Sequence, residues 1–127
     1  MLVRRLLLLA FAGALGSLAR YGLAGFVQRA FDEGSFPLGT LAVNVVGCLL
    51  FGLVWALADE RLVIGAETRL ILLVGFMGAF TTFSSYAYET GVMLRDAEWS
   101  MAIANVLAQN VLGMASFFVG AALGRLA

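Results

Sequence analysis

Four apolar stretches, each about as long as a bilayer is thick, constrain this chain more than any other feature. The hydrocarbon core measures ~30 Å, and a helix rising ~1.5 Å per residue crosses it in about 20 residues. The stretches lie at about residues 6–26, 38–57, 70–94 and 101–123. They take most of the 127 residues and leave no room for a separate soluble domain. The chain is 62% hydrophobic and only 13% charged, with a mean hydropathy of +0.98. That charge content is about half the ~25% usual for a soluble domain. A water-soluble globule, a disordered chain and a disulfide scaffold are thereby excluded. The expected fold class is an all-α membrane protein of four transmembrane helices forming one domain.

Connections are short, at about residues 27–37, 59–69 and 95–100. Pro37 stands where a helix begins, since its missing N–H is an orphan there anyway. Arg4 and Arg5 before Leu6–Leu9 resemble the start of a signal peptide, but the apolar run continues beyond any small-residue cleavage site. The first span is therefore read as retained. Four crossings place both termini on one side, with Arg4, Arg5, Arg61, Arg69 and Arg125; Arg29 and Arg95 fall on the other. This bias favours cytoplasmic termini, yet it is small enough to permit insertion both ways.

Eight arginines balance eight carboxylates, and neither lysine nor histidine occurs. A neutral chain offers no basic surface for nucleic acid. The commonest metal ligand and general base are missing, and the single Cys48 reads as a small buried apolar residue. No nucleophile–base pair or nucleotide loop is legible, so an enzyme is not expected.

Polar residues within the spans narrow the remaining choices, because hydrocarbon offers them no partners. Thr40, Asn44 and Cys48 share one stripe of the second span, and Asn105 and Gln109 one face of the fourth, with Asn110 beside them. In the third span, Gly75 and Gly78 precede Thr81, Thr82, Ser84 and Ser85. Glycines weaken a helix, and hydroxyls satisfy the backbone groups that a break frees. A break in mid-membrane would turn carbonyls towards a cation and amide N–H groups towards an anion. Phe76, Phe80, Phe83, Tyr86 and Tyr88 add rings whose positive edges suit an anion.

Arg20 lies near the far end of the first span, where it can snorkel, attract anions or pair with Glu89. Small residues at Ala12/Gly16, Gly13/Ser17 and Ser116/Gly120/Gly124 suggest close helix packing and favour self-association. The span cores hold no carboxylate for proton coupling. A track of amides, hydroxyls and ring edges fits passive conduction of a strongly hydrated anion.

Four segments resemble the bacterial fluoride channel family, also called CrcB or Fluc. They are GALGSLARY at 13–21, PLGTLAVNVVGCLLFG at 37–52, GFMGAFTTFSSYAYE at 75–89, and residues 105–113 with the glycines that follow. The resemblance covers nearly the whole chain. It implies a dual-topology antiparallel homodimer in the cell (inner) membrane, with two fluoride pathways. It also implies a structural sodium ion at the dimer interface, held by the carbonyls of Gly78 and Thr81. Asn44 matches the pore asparagine, Phe83 the first pathway phenylalanine, and Ser84 and Ser85 its hydroxyl positions. Glu89 and Arg20 match a recurrent acid and arginine near the pathway mouth. Tyr86 stands where a second phenylalanine is usual, Gln109 where serine is common, and Asn105 where aromatic and amide residues vary. The implied activity is export of cytoplasmic fluoride, driven by a potential worth about 2.3 kcal/mol per charge per 100 mV. A proton-coupled multidrug exporter would need a glutamate in the first span, which has none. A non-conducting accessory subunit would use the same polar residues as interhelical glue.

Overall fold

The computed structural model describes residues 1–31 and 34–127. The first connection therefore lies partly outside the described residues. Helix α1 runs Leu2–Ala30 and α2 Leu38–Trp55, the latter carried on by a π-helical turn over Ala56–Glu60. The third crossing is built in pieces. Helix α3 (Ala66–Leu70) passes into a π-helical stretch (Ile71–Met77) and then α4 (Gly78–Phe80). After Thr81 and Thr82, α5 spans Phe83–Arg95, and α6 covers Trp99–Leu126. Among the described residues, four helical segments are long and apolar enough to cross a membrane. Helix continues past the apolar stretches because backbone N–H and C=O groups need pairing through the interfacial region as well.

The core is thin, and much of the apolar surface faces outward. Leu7, Phe11 and Leu18 on α1, and Leu107, Val111 and Phe118 on α6, are exposed. A soluble chain would bury such residues; in a bilayer they meet lipid. What holds the helices together is close backbone approach. Helices α2 and α6 form the most extensive contact. A Cβ on Gly120 would come within 1.9 Å of the Leu49 carbonyl oxygen, and one on Gly52 within 2.1 Å of that of Phe117. Ser116, Gly120 and Gly124 are all buried. The stripe read as favouring self-association thus packs against α2 inside the same chain. Ala12 and Gly16 are likewise buried, with Gly16 facing the Phe76 carbonyl. Small side chains let two backbones touch, and within one chain the nearest backbone is the adjacent crossing.

Charged groups collect at the helix ends. Arg4 pairs with Glu67 at 2.7 Å, Arg125 with Glu60 at 2.5 and 2.9 Å, and Arg69 with Asp59. Arg61 donates to the Arg125 carbonyl at 2.7 Å. These contacts gather both termini and the α2–α3 connection at one end. At the other end, Gln28 accepts from the Gly39 N–H at 3.1 Å and donates to the Phe36 carbonyl at 3.3 Å, stapling α1 to the start of α2. In the tight turn after α5, the Arg95 guanidinium beside Asp96 holds that carboxyl below its ordinary value. Both groups are exposed, so the pair adds little stability.

Overpacking at the α2–α6 contact is expected to be costly. Gly120→Ala should destabilise the protein by about 1–3 kcal/mol, seen as an earlier midpoint on unfolding in SDS. Gly22→Ala, where the added Cβ meets no atom within 4 Å, should leave that midpoint unlowered.

Candidate functional site

The interruption of the third crossing organises the site. Thr81 adopts φ −80°, ψ 157° and Thr82 φ −148°, ψ 109°, both extended. In an unbroken helix the Thr82 N–H would go to the Gly78 carbonyl. Here it donates to Asn44 Oδ1 at 2.8 Å. The Ser85 N–H would similarly go to Thr81, but it donates to Thr82 Oγ1 at 3.1 Å, making Thr82 the N-cap of α5. The two replacements release the carbonyls of Gly78 and Thr81 from their helical donors. Gly78 is exposed and Thr81 half-buried.

Asn44 bridges the gap from α2. Besides accepting from Thr82, its Nδ2 donates to the Thr82 carbonyl and to Gln109 Oε1, each at 3.0 Å. One turn along, Gly47 allows α2 to lie against the interruption, since a Cβ there would sit 2.1 Å from Thr81 Cγ2. The two halves of the third crossing then go to different neighbours. The π-helical stretch and α4 pack on α1, whereas α5 packs on α6.

Two clefts flank the interruption, and Thr82 lines both. A groove of about 300 Å³ is lined by Asn44, Phe83, Tyr86, Gln109 and Asn110, among others. Phe83 and Tyr86 meet edge to face there, with centroids 5.3 Å apart and rings at 72°. Phe83 is 77% exposed, so this wall is open on the side away from the chain. A second cleft of about 390 Å³ takes in Ser17, Arg20, Tyr21, Thr40 and Ser85. Of the residues expected at a pathway, the first cleft gathers Asn44, Phe83, Tyr86 and Gln109, and the second Arg20 and Ser85. Ser84 stands apart from both, exposed, with its hydroxyl 3.2 Å from Thr82 Oγ1.

Glu89 and Asn105 fall outside the linings. Glu89 Oε1 accepts from Thr40 at 2.5 Å. The pairing of Glu89 with Arg20 is therefore corrected: Arg20 makes no ion pair among the described residues and instead lines the second cleft. A hydroxyl one turn from Asn44 is nearer to hand than a guanidinium from α1. Asn105, fully buried, donates to Thr90 Oγ1 at 3.0 Å, and Thr90 in turn donates to the Tyr86 carbonyl at 2.8 Å. Thr90 and the capping role of Thr82 were not singled out from sequence. The capping signal was present, because Thr82 stands three residues before Ser85 at the start of a new helix.

Four apolar crossings, the third of them interrupted and polar, define a multi-pass membrane protein whose polar groups converge beside the interruption. Residues 7–121 match the family described as CrcB-like protein, Camphor Resistance (CrcB), and the chain belongs to that family. It is 52% identical over 118 residues to a protein of Desulforapulum autotrophicum described as fluoride-specific ion channel FluC, covering 93% of this chain and 94% of that one. A protein of Nitrosococcus oceani with the same description is 52% identical over 117 residues, covering 92% of this chain and 93% of its own length. One from Nitratidesulfovibrio vulgaris strain Miyazaki F, again so described, is 49% identical over 124 residues, covering 98% and 99%.

Removing the bridge should loosen the interruption. Asn44→Leu strips the Thr82 N–H and C=O of their partner and is expected to cost several kcal/mol in SDS unfolding. Thr82→Val, which removes only the cap, should cost about 1 kcal/mol. The reverse order would show that the cap, not the bridge, holds the gap.

Proposed function

We propose that the chain forms a fluoride channel through which cytoplasmic fluoride leaves by passive electrodiffusion, lowering its toxicity to the cell. The observation that carries this reading is the Asn44–Thr82–Gln109 cluster beside the groove with Phe83. It occurs in a chain about half identical, over nearly its full length, to proteins described as fluoride-specific ion channels. Those relatives are channels by description, not enzymes.

The chemistry of the groove agrees with such a task. A small anion sheds water only if donors replace it, and neutral donors do so without trapping the ion. Gln109 supplies an amide, which Asn44 holds in place, Tyr86 a hydroxyl, and Phe83 a ring edge. Arg20 in the second cleft raises the local concentration of anions. Glu89, Ser84, Ser85 and Asn105 complete the set of residues assigned to the pathway.

One chain leaves this route half-walled, and the exposure of Phe83 supports a partner that covers it. The partner we infer is a second copy inserted antiparallel, giving a dual-topology homodimer in the cell membrane. The interruption lies between 15 residues of α3–α4 helix and 13 of α5, which supports a position near mid-membrane. The carbonyls of Gly78 and Thr81, released from helical donors, suit a hard cation such as structural sodium. Two carbonyls are too few to enclose one, so the site would need both copies. When bound, the ion would supply a fixed positive charge holding the released carbonyls together.

Liposomes loaded with potassium fluoride provide the test. With valinomycin setting the potential, fluoride efflux should be fast, chloride efflux slight, and neither should depend on a pH gradient. Phe83→Ile should slow fluoride efflux at least about tenfold, the worth of ~1.4 kcal/mol. Efflux requiring a proton gradient would point to a coupled exporter. No efflux from well-folded protein would point to an accessory subunit.

A further inference from the structure

At the end that holds both termini, most arginines are engaged. Arg4 pairs with Glu67, Arg69 with Asp59 and Arg125 with Glu60, while Arg61 donates to the Arg125 carbonyl. Arg5, the fifth, is exposed and makes no ion pair among the described residues. Five arginines thus stand against Asp59, Glu60 and Glu67, and the positive charge left over includes Arg5.

Arg5 opens on a cleft of about 520 Å³ bounded by α1, α2 and the third crossing. Arg69 and Glu67 share its polar rim, and Phe51, Leu73 and Val74 line its apolar part. Arg69, Leu73 and Val74 follow one another at helical spacing, so Val74 lies roughly 7 Å further along the crossing than Arg69. Val74 is 61% exposed, and the deep part of the cleft therefore opens sideways, where the hydrocarbon lies.

The cleft has charge at the level of the helix ends and an apolar flank within the span. A water-soluble anion matches only the rim. A phospholipid has the same order of polarity, with its phosphate at the interface and its acyl chains below. A guanidinium offers a fork of donors that fits two phosphate oxygens. Glu67 would repel a phosphate, but Arg4 neutralises it at 2.7 Å, and Asp59 is held by Arg69. Basic pockets between membrane helices suit anionic headgroups for these reasons.

We propose that this cleft binds an anionic phospholipid, its phosphodiester held by Arg5 with Arg69 beside it and an acyl chain lying along Phe51, Leu73 and Val74. The assignment is independent of what passes through the groove beside Asn44. A zwitterionic lipid brings a cation of its own to the same arginines and is the weaker ligand.

Native mass spectrometry of the full-length protein in detergent micelles tests the site. Phosphatidylglycerol and phosphatidylcholine of matched chain length are the probes. Phosphatidylglycerol should remain as a discrete adduct, bound at least about fivefold more tightly than phosphatidylcholine, the worth of ~1 kcal/mol per arginine near the surface. Arg5→Gln should abolish that preference, and Arg5→Lys, which keeps the charge without the fork, should restore part of it. Arg61→Gln removes the same charge at the same end but outside the cleft, and should leave the preference intact. Glu67→Gln removes the carboxylate of the rim and frees Arg4, so it should strengthen phosphatidylglycerol binding, a gain that misfolding cannot imitate. Arg5→Gln should keep the SDS unfolding midpoint, and excess inorganic phosphate should not displace the lipid. Equal losses in Arg5→Gln and Arg61→Gln would mean diffuse attraction and overturn the site. Displacement by inorganic phosphate would overturn the lipid as its occupant. Adducts on single chains but not on pairs would show that a second copy covers the cleft, which overturns the proposal as well.

Discussion

The double hydrogen bond between Asn44 and the backbone of Thr82 is the contact on which the site depends. Its worth is easily misjudged. Interhelical hydrogen bonds in membranes contribute only about 0.6 kcal/mol on average. An unpaired backbone group in hydrocarbon costs several kcal/mol. The larger figure governs here, because the extended Thr81 and Thr82 withdraw the Thr82 N–H from the helical ladder. Asn44 offers the acceptor and the donor in one planar group, which a serine or threonine cannot match at both backbone positions. The interruption therefore depends on a carboxamide reaching it from α2.

That reach sets the packing around it. Asn44 meets Thr82 only if α2 lies hard against the third crossing, and Gly47 removes the Cβ that would strike Thr81. On its other side α2 lies against α6 through Gly52 and Gly120, bringing Gln109 within 3.0 Å of the same asparagine. The spacing of four between Asn44 and Cys48, and between Gln109 and Gly113, runs in step on the two helices: a Cβ on Gly113 would meet Cys48 Sγ at 3.6 Å. Backbone proximity through small residues and amide pairing are thus parts of one arrangement. Small residues supply the distance, and amides use it.

Much of this was legible in the sequence because hydrocarbon makes polar residues conspicuous. The four apolar stretches identified the helices, and Gly75, Gly78 and the four hydroxyls pointed to the weak place in the third. What could not be read was direction and partner. Ser116, Gly120 and Gly124 announce a close contact, but spacing alone does not say whether it lies within a chain or between chains; they face α2. Arg20 and Glu89 invited pairing by charge, yet Glu89 takes the Thr40 hydroxyl. Periodicity places a residue on a face of its own helix and leaves open the rotation of the neighbour. Asn44 can be read as glue or as a pore residue, and its hydrogen bonds to Thr82 and Gln109 give it the first of these tasks.

Among the described residues, three buried side-chain atoms have no hydrogen-bond partner, Glu89 Oε2, Asn105 Oδ1 and Gln109 Nε2, and they are sorted by sign along the helices. Thr40 and Asn105, with Glu89 and Thr90, make one polar layer; Asn44 and Gln109, with Thr82, make the next, four residues further along α2 and α6. In the first layer the unpaired atoms are acceptors, one of them a carboxylate oxygen, and in the second the unpaired atom is a donor. An anion drawn to the donor layer meets repulsion at the acceptor layer unless a proton, a cation or water lies between. Conduction needs a site attractive enough to strip water from an ion and weak enough to release it. Neutral donors replace an anion's water without trapping it, whereas acceptors alone would refuse it. A donor layer one turn from an acceptor layer would limit how long an anion stayed, with neutral amides and a single carboxylate.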